Sequence, residues 1–203
     1  MPADTRIPVA DISAVILAGG RARRMGGEDK GLVELGGRPL LDYIISALRP
    51  QVGEILVNAN RNLERYRAFG YPVIEDIMGD FCGPLVGMAT GMQATGNPWL
   101  LTVPCDSPFV PAQLAATLGH ALVTEQADLS VAHDGVRMQP VFALLDCRLL
   151  PSLLDYLTGG GRKIDTWYAQ QRLALADFSA SADTFLNLNT PEDKTELENR
   201  LME

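Results

Sequence analysis

Ala14 to Gly37 reads AVILAGGRARRMGGEDKGLVELGG, and its change of character along the chain decides the fold. The apolar run Ala14-Val15-Ile16-Leu17-Ala18 suits a buried strand. It breaks at Gly19-Gly20, passes through a loop carrying Arg21, Arg23, Arg24 and Lys30, and closes on Gly36-Gly37. A strand running into a glycine turn lets backbone N–H groups face a bound anion, because no Cβ blocks close approach. Arginine and lysine add charge-assisted hydrogen bonds suited to phosphate oxygens. The stretch therefore reads as a triphosphate cradle. It is neither a P-loop, since Lys30 stands between Asp29 and Gly31, nor a dinucleotide fingerprint, since G-x-G-x-x-G is absent from the turn.

The rest of the chain repeats the strand-then-helix rhythm. Leu40, Leu41, Ile44, Ile45 and Leu48 recur at helical spacing after Pro39, which is expected in the first turn, and the helix stops at Pro50. Glu54 to Val57 reads as a strand ending at Asn58-Ala59-Asn60. A short helix from Leu63 to Phe69 precedes the strand Pro72-Val73-Ile74, which ends at Glu75-Asp76. Gly83-Pro84 opens a helix with Gly83, Gly87 and Gly91 on one face. Trp99 to Val103 is an apolar strand leading to Pro104-Cys105-Asp106, and Pro111 is expected to begin the next helix. This alternation predicts an α/β fold: a doubly wound, mostly parallel sheet with helices on both faces.

Farther on, Asp128–Ala132 and Arg137–Leu145 flank Asp134-Gly135, a strong hairpin signal. Helices over Leu149–Leu157 and Ile164–Gln171 and a strand over Leu173–Phe178 follow. Thr190-Pro191-Glu192-Asp193 has the N-cap, N1 proline and capping-box pattern of a final helix. One domain over residues 1–203 is expected, with residues 1–12 as a loose tail.

A formal net charge of −8 argues against a nucleic-acid binder, while a local basic loop still focuses potential on a small polyanion. The three cysteines, Cys82, Cys105 and Cys147, form no C-x-x-C pair and fit a reducing compartment. The opening residues lack a signal-peptide core and no apolar run reaches membrane-spanning length. A cytoplasmic protein without membrane or nucleic-acid partners is the expectation.

In open α/β sheets, ligands sit beyond the carboxyl ends of the strands. The residues that fall there are Gly19-Gly20, Asn58-Ala59-Asn60, Asp76, Asp106, Asn187 and Asn189. Asn and Asp also favour turns for their own sake. Asp106 is the stronger candidate, flanked by prolines in V-P-C-D-S-P-F; a carboxylate so placed suits Mg²⁺, which takes one or two carboxylates plus phosphate oxygens and waters. The glycine ladder serves either close helix–sheet packing or close approach of a base. His120 falls in a helix and reads as structural. His133, Arg162 and Lys163 either line a second substrate's site or form solvated surface. The cysteines lack a base partner and read as small core residues.

LAGGRARRMGGEDKGL resembles the signature loop of nucleotidyltransferases, and with Gly26-Gly27 and Asp29-Lys30-Gly31 it is most similar to that of the molybdenum cofactor guanylyltransferases. The resemblance extends to V-P-C-D-S-P, G-P-L-V-G-M and N-L-N-T-P-E-D, and so covers most of the chain. It implies a Rossmann-like nucleotidyltransferase fold and an enzyme that moves GMP from GTP onto molybdopterin phosphate with Mg²⁺. By the same resemblance Leu17, Ala18, Gly19, Gly20, Lys30, Asn58, Asp76, Gly83, Gly87 and Asp106 are nucleotide contacts. Asp106 is the metal ligand, and Lys30, Asp106 and Arg24 do the chemistry. Asn187, Asn189, His133, Arg162 and Lys163 are candidates for the molybdopterin side. Transient contact with molybdoenzymes or their chaperones belongs to the same expectation. A cytidylyltransferase for the same cofactor, a sugar-1-phosphate nucleotidyltransferase and a GTP-binding carrier without chemistry stay open as alternatives.

Overall fold

A strand opens the sheet just before Ala14 because Ile12, Ala14, Ile16 and the intervening Ser13 and Val15 are all buried. The computed structural model describes residues 6–19, 29–79 and 83–201. Their elements are β1 (Ile12–Leu17), β2 (Glu34–Leu35), β3 (Arg38–Pro39), α1 (Leu40–Leu48), β4 (Glu54–Asn58), α2 (Leu63–Arg67) and β5 (Val73–Ile74). Then come α3 (Pro84–Ala94), β6 (Trp99–Pro104), α4 (Leu114–Thr124), β7 (Leu129–His133), β8 (Met138–Asp146), α5 (Leu150–Thr158), α6 (Ile164–Tyr168), β9 (Leu173–Asp177) and α7 (Pro191–Arg200).

Among the described residues the main sheet has the order β5-β4-β1-β6-β8-β7-β9. β1 pairs in parallel with β4 on one side and β6 on the other. β8 runs antiparallel to both β6 and β7, and β9 returns parallel to β7. The chain thus winds outward in both directions from β1, and the carboxyl ends of β4, β1 and β6 form the switch point where such sheets hold ligands.

Side-chain alternation along β1 builds the two layers. Ala14 and Ile16 face Leu41, Ile44 and Leu48 of α1 and Leu114, Leu118 and Leu122 of α4. Val15 faces the other way, with Leu85, Met88 and Met92 of α3 and Leu153 and Leu157 of α5. Each large aliphatic side chain so buried contributes roughly 1.5–3 kcal/mol. α3 lies close to the sheet at its glycines: a Cβ on Gly91 would come 3.0 Å from Leu100 Cδ2 and 3.1 Å from Val15 Cγ1. A smaller cluster of Val33, Leu35, Leu40, Leu188 and Leu197 ties the segment after Lys30 to α7. Among the described residues no helix is long and apolar enough to cross a membrane.

Several boundaries differ from expectation. The segment expected as a tail to residue 12 carries a 3-10 turn over Val9–Asp11 and enters β1 at Ile12. Pro39 stands before α1 rather than inside it. Its extended ψ of 142° keeps it in the short strand paired with Glu34, across a turn in which Gly36 and Gly37 have φ of +58° and +78°; positive φ at both turn residues matches the twist of a tight hairpin. Pro111 likewise precedes α4, its carbonyl accepting from Leu114 N and from Gln51 Nε2. The hairpin at Asp134-Gly135 forms, but with a longer loop over 134–137, because Asp134 Oδ1 accepts from both Val136 N and Arg137 N at 2.8 Å. A 3-10 segment over Ser179–Phe185 was not expected. The last helix forms as expected, with the Thr190 and Asp193 side chains each bonded to the other's backbone N–H.

Candidate active site

At its carboxyl end β1 is stitched to both neighbours. Ala18 N donates to Asn58 O at 2.8 Å, and Cys105 N donates to Leu17 O at 3.2 Å. Leu17-Ala18-Gly19 therefore leaves the sheet between the end of β4 and the end of β6, and residues from both converge on it.

On the β6 side, Lys30 Nζ donates to Asp106 Oδ2 at 2.8 Å and to Asn189 Oδ1. The lysine and aspartate side chains are only 21% and 20% exposed, so their ion pair is partly shielded from water. Asn189 arrives because Leu188 N donates to Asp106 O at 2.8 Å, which lays the Asn187–Asn189 segment along Asp106-Ser107; Ser107 Oγ also bonds Asn187 Oδ1. The capping box of α7 anchors the far end of that segment, with Asn189 N donating to Asp193 Oδ2 at 2.8 Å. These backbone donors hold the Asp193 carboxyl below the usual carboxylate range. Lysine has three donor hydrogens. Among the described residues the partners of Lys30 are Asp106 and Asn189.

On the β4 side, both oxygens of Asp76 are clasped: Asn58 Nδ2 donates to Oδ1 at 2.9 Å and Asn60 Nδ2 to Oδ2 at 2.8 Å. Asn60 Oδ1 in turn accepts from Asp76 N. Asn58 is 2% exposed, and its amide oxygen fills the space before two glycines. A Cβ on Gly87 would come 2.6 Å from Asn58 Oδ1 and 2.7 Å from Leu17 Cδ2, and one on Gly19 would come 2.9 Å from Asn60 Nδ2. Gly87 thus makes room for the protein's own asparagine. Gly83 differs: its φ is +84°, and no described residue lies within 4 Å of a Cβ built there.

Sequence reasoning missed the link between the two sides. Asp29 is 2% exposed; its carboxylate pairs with the Arg61 guanidinium and accepts from Asn62 Nδ2 at 2.9 Å. This buried latch ties the residue before Lys30 to the loop after β4. No spacing rule connects positions so far apart, and the one local sign was a carboxylate next to a basic run.

The remaining expected residues are placed less centrally. His133 ends β7, with β6 and β8 lying between that strand and β1, and its Nδ1 accepts from Gly135 N. Arg162 Nη1 donates to the carbonyls of Leu157 and Gly161, serving the end of α5, and neighbouring Lys163 is exposed. His120 is exposed on α4. Burial first, then Asp106, pushes the Cys105 thiol up to about 12, and burial first, then Asp146, pushes that of Cys147 up to about 11; neither is a ready nucleophile near neutral pH. Gly20, Arg24 and Cys82 lie outside the described residues.

The donor set beside Lys30 suits a hard cation. Asp106 offers a carboxylate, and the amide oxygens of Asn187 and Asn189 stand on the segment laid against it. Mg²⁺ characteristically takes one or two carboxylates and completes its shell with phosphate oxygens and waters, so a single carboxylate with amide oxygens adjoining fits that ion.

The family model of the MobA-like NTP transferase domain matches residues 14–173. A molybdenum cofactor guanylyltransferase of Shewanella sediminis is 53% identical over 186 residues, 92% of this chain and 95% of that protein. Another, from Cupriavidus necator, is 50% identical over 188 residues, covering 90% of this chain and 94% of its own length. Among solved structures, molybdopterin-guanine dinucleotide biosynthesis protein A from Archaeoglobus fulgidus superposes with a TM-score of 0.76 at 19% identity, covering 94% of this chain and 98% of that one. At that identity the superposition speaks for the fold.

Proposed function

Since this chain belongs to the MobA-like NTP transferase family, we propose that it transfers GMP from GTP to the terminal phosphate of molybdopterin, releasing pyrophosphate and forming the molybdopterin guanine dinucleotide. The observation that carries this reading is the shielded Lys30–Asp106 pair at the switch point, with Asn189 sharing the same ammonium. An oxygen of the molybdopterin phosphate attacks the α-phosphorus of GTP in line. The new P–O bond forms as the bond to the β-phosphate breaks, and the electron pair leaves with pyrophosphate. A phosphate monoester, with a second pKa of about 6, is largely dianionic near neutral pH, so no protein base is needed. What the chain supplies is position and charge.

Lys30 meets the phosphates and stabilises charge moving onto pyrophosphate, and Arg24 adds to that role. Asp106, with Asn187 and Asn189 adjoining, would hold Mg²⁺, which when bound supplies charge neutralisation at the phosphate oxygens. Leu17, Ala18 and Gly19 offer backbone to the nucleotide, and the Asn58–Asp76–Asn60 clasp orients a carboxylate toward its base and ribose. The purine approaches the start of α3 at Gly83, where no described residue lies within 4 Å of a built Cβ. Asn187 and Asn189 lead toward the molybdopterin side, with His133, Arg162 and Lys163 as more distant candidates. A cytoplasmic setting and transient contact with molybdoenzymes or their chaperones belong to the same reading.

The test is purified protein with molybdopterin, Mg²⁺ and either GTP or CTP. Pyrophosphate release with GTP is expected, and GTP is expected to raise the melting temperature more than CTP or UTP, because a ligand of the native state stabilises it. Equal or greater protection by CTP would move the assignment to cytidylyl transfer. Protection by GTP without pyrophosphate release would make the chain a carrier.

A second expectation concerns what the chemistry does without. A variant carrying His120→Gln, His133→Asn and all three cysteines changed to Ser or Ala should lose some stability, of order 1 kcal/mol per core change. Its rate per folded molecule should stay within roughly tenfold of the parent, since losing a true general base typically costs 10²–10⁴. Single-turnover kinetics on the folded fraction check this, and an inactive but folded variant would contradict it.

A further inference from the structure

One buried group lies beside the site and has no part in the mechanism above. Among the described residues, Tyr66 Oη is the buried side-chain polar atom without a hydrogen-bond partner, and the residue is 0% exposed. A buried hydroxyl without a partner is a net cost that native structures avoid, so its retention calls for a reason. Its place supplies one. A Cβ on Gly31 would come 3.2 Å from Tyr66 Oη, 3.4 Å from Tyr66 Cε1 and 3.4 Å from Cys105 Cβ. Gly31 follows Lys30 and Cys105 precedes Asp106, and the Gly31 backbone N–H bonds the Cys105 sulfur, so the phenol is wedged against the junction of the two backbone segments that carry the reacting pair. Its own segment, α2, begins just after Arg61 and Asn62, which hold Asp29 on the other side of Lys30. Burial, with Cys105 and Asp29 close by, pushes the phenol pKa up, so the hydroxyl stays protonated and keeps a hydrogen to donate.

We infer that Tyr66 is a positioning residue for nucleotidyl transfer: its ring and hydroxyl fix the Lys30–Gly31 turn against Cys105-Asp106, setting the separation of the lysine and carboxylate that meet the phosphates. The inference rests on the reading of this site as a guanylyl-transfer centre. Misplacement of a reacting group by about 1 Å costs on the order of 10²-fold in rate, so loosening the wedge by one hydroxyl should be visible in turnover while the core stays intact.

The test is Tyr66→Phe in the full chain, with kcat and KM for GTP measured per folded molecule alongside the melting temperature. Removal of a buried hydroxyl that has no partner among the described residues should leave the melting temperature unchanged or higher. kcat should fall about tenfold or more, with KM for GTP within about threefold of the parent, a split that a purely structural tyrosine would not produce. Gly31→Ala, which pushes on the wedge from the other side, should also lower kcat. The double variant should be less impaired than the product of the two single effects, because the atom nearest the added methyl is gone. Parent-like kcat in Tyr66→Phe, beside an active parent, would overturn this inference alone. No turnover by the parent would overturn the reading of the site and this inference with it.

Discussion

Lys30→Ala is expected to lower turnover by ~100-fold or more, and to cost more than the combined histidine and cysteine changes. The ammonium lies 2.8 Å from Asp106 Oδ2 and also bonds Asn189 Oδ1, so its removal acts twice. On the proposed mechanism it deletes a cation that meets the phosphates, of the kind typically worth several kcal/mol, where 1.4 kcal/mol is tenfold. It also frees Asp106 and Asn189 from their common partner. The fold should survive, because the Lys30–Leu32 turn is closed by the backbone bond from Val33 N to Lys30 O and by Asp29 on Arg61 and Asn62. Steady-state pyrophosphate release, with circular dichroism as the folding control, measures this. A folded variant that still turns over well would remove the lysine from the mechanism.

Asp106→Asn is expected to have an effect of similar size for a complementary reason. The substitution keeps the shape of the side chain and the backbone bond from Leu188 N to Asp106 O, so the Asn187–Asn189 segment stays in place. What is lost is the charge that would hold Mg²⁺ against the triphosphate and that pairs with Lys30. Turnover per folded molecule should fall ~100-fold or more, and the melting temperature should fall as well, since a pair only about one-fifth exposed loses one charge and leaves Lys30 without its counter-charge. Near-normal turnover at ordinary Mg²⁺ concentration would take Asp106 out of the site.

How much of this was legible in the sequence depends on the distance over which each contact acts. The apolar run Ala14 to Ala18, the glycine break after it and the run of strands ending in Asn or Asp are local signals, and they gave the sheet, its two layers and the switch point. The Thr190–Asp193 cap was legible for the same reason. Prolines were misjudged where they stand before a helix rather than in its first turn, as at Pro39 and Pro111, because a fixed φ suits both positions and only ψ distinguishes them. The β2–β3 hairpin escaped notice because strands of two residues have no period to read.

Within the site, Lys30 and Asp106 stood out by residue type and position, whereas their mutual contact is made by the fold. Asp29 on Arg61 and Asn62, and Tyr66 against Gly31, are likewise contacts between distant segments. In sequence Tyr66 is simply an aromatic residue in a short helix, and only the fold shows that its hydroxyl has no partner among the described residues. Gly87 had two open readings, and it stands where the Asn58 side chain needs room.

The most direct test of the central claim, that the molybdopterin phosphate itself displaces pyrophosphate without a protein nucleophile, is the stereochemical course at the α-phosphorus. A single diastereomer of GTP with sulfur on the α-phosphate would be turned over with molybdopterin, and the configuration of the resulting dinucleotide determined. One in-line displacement gives inversion, which is the expected result. Retention would mean two displacements through a guanylyl group covalently attached to the chain, and would contradict the mechanism at its root.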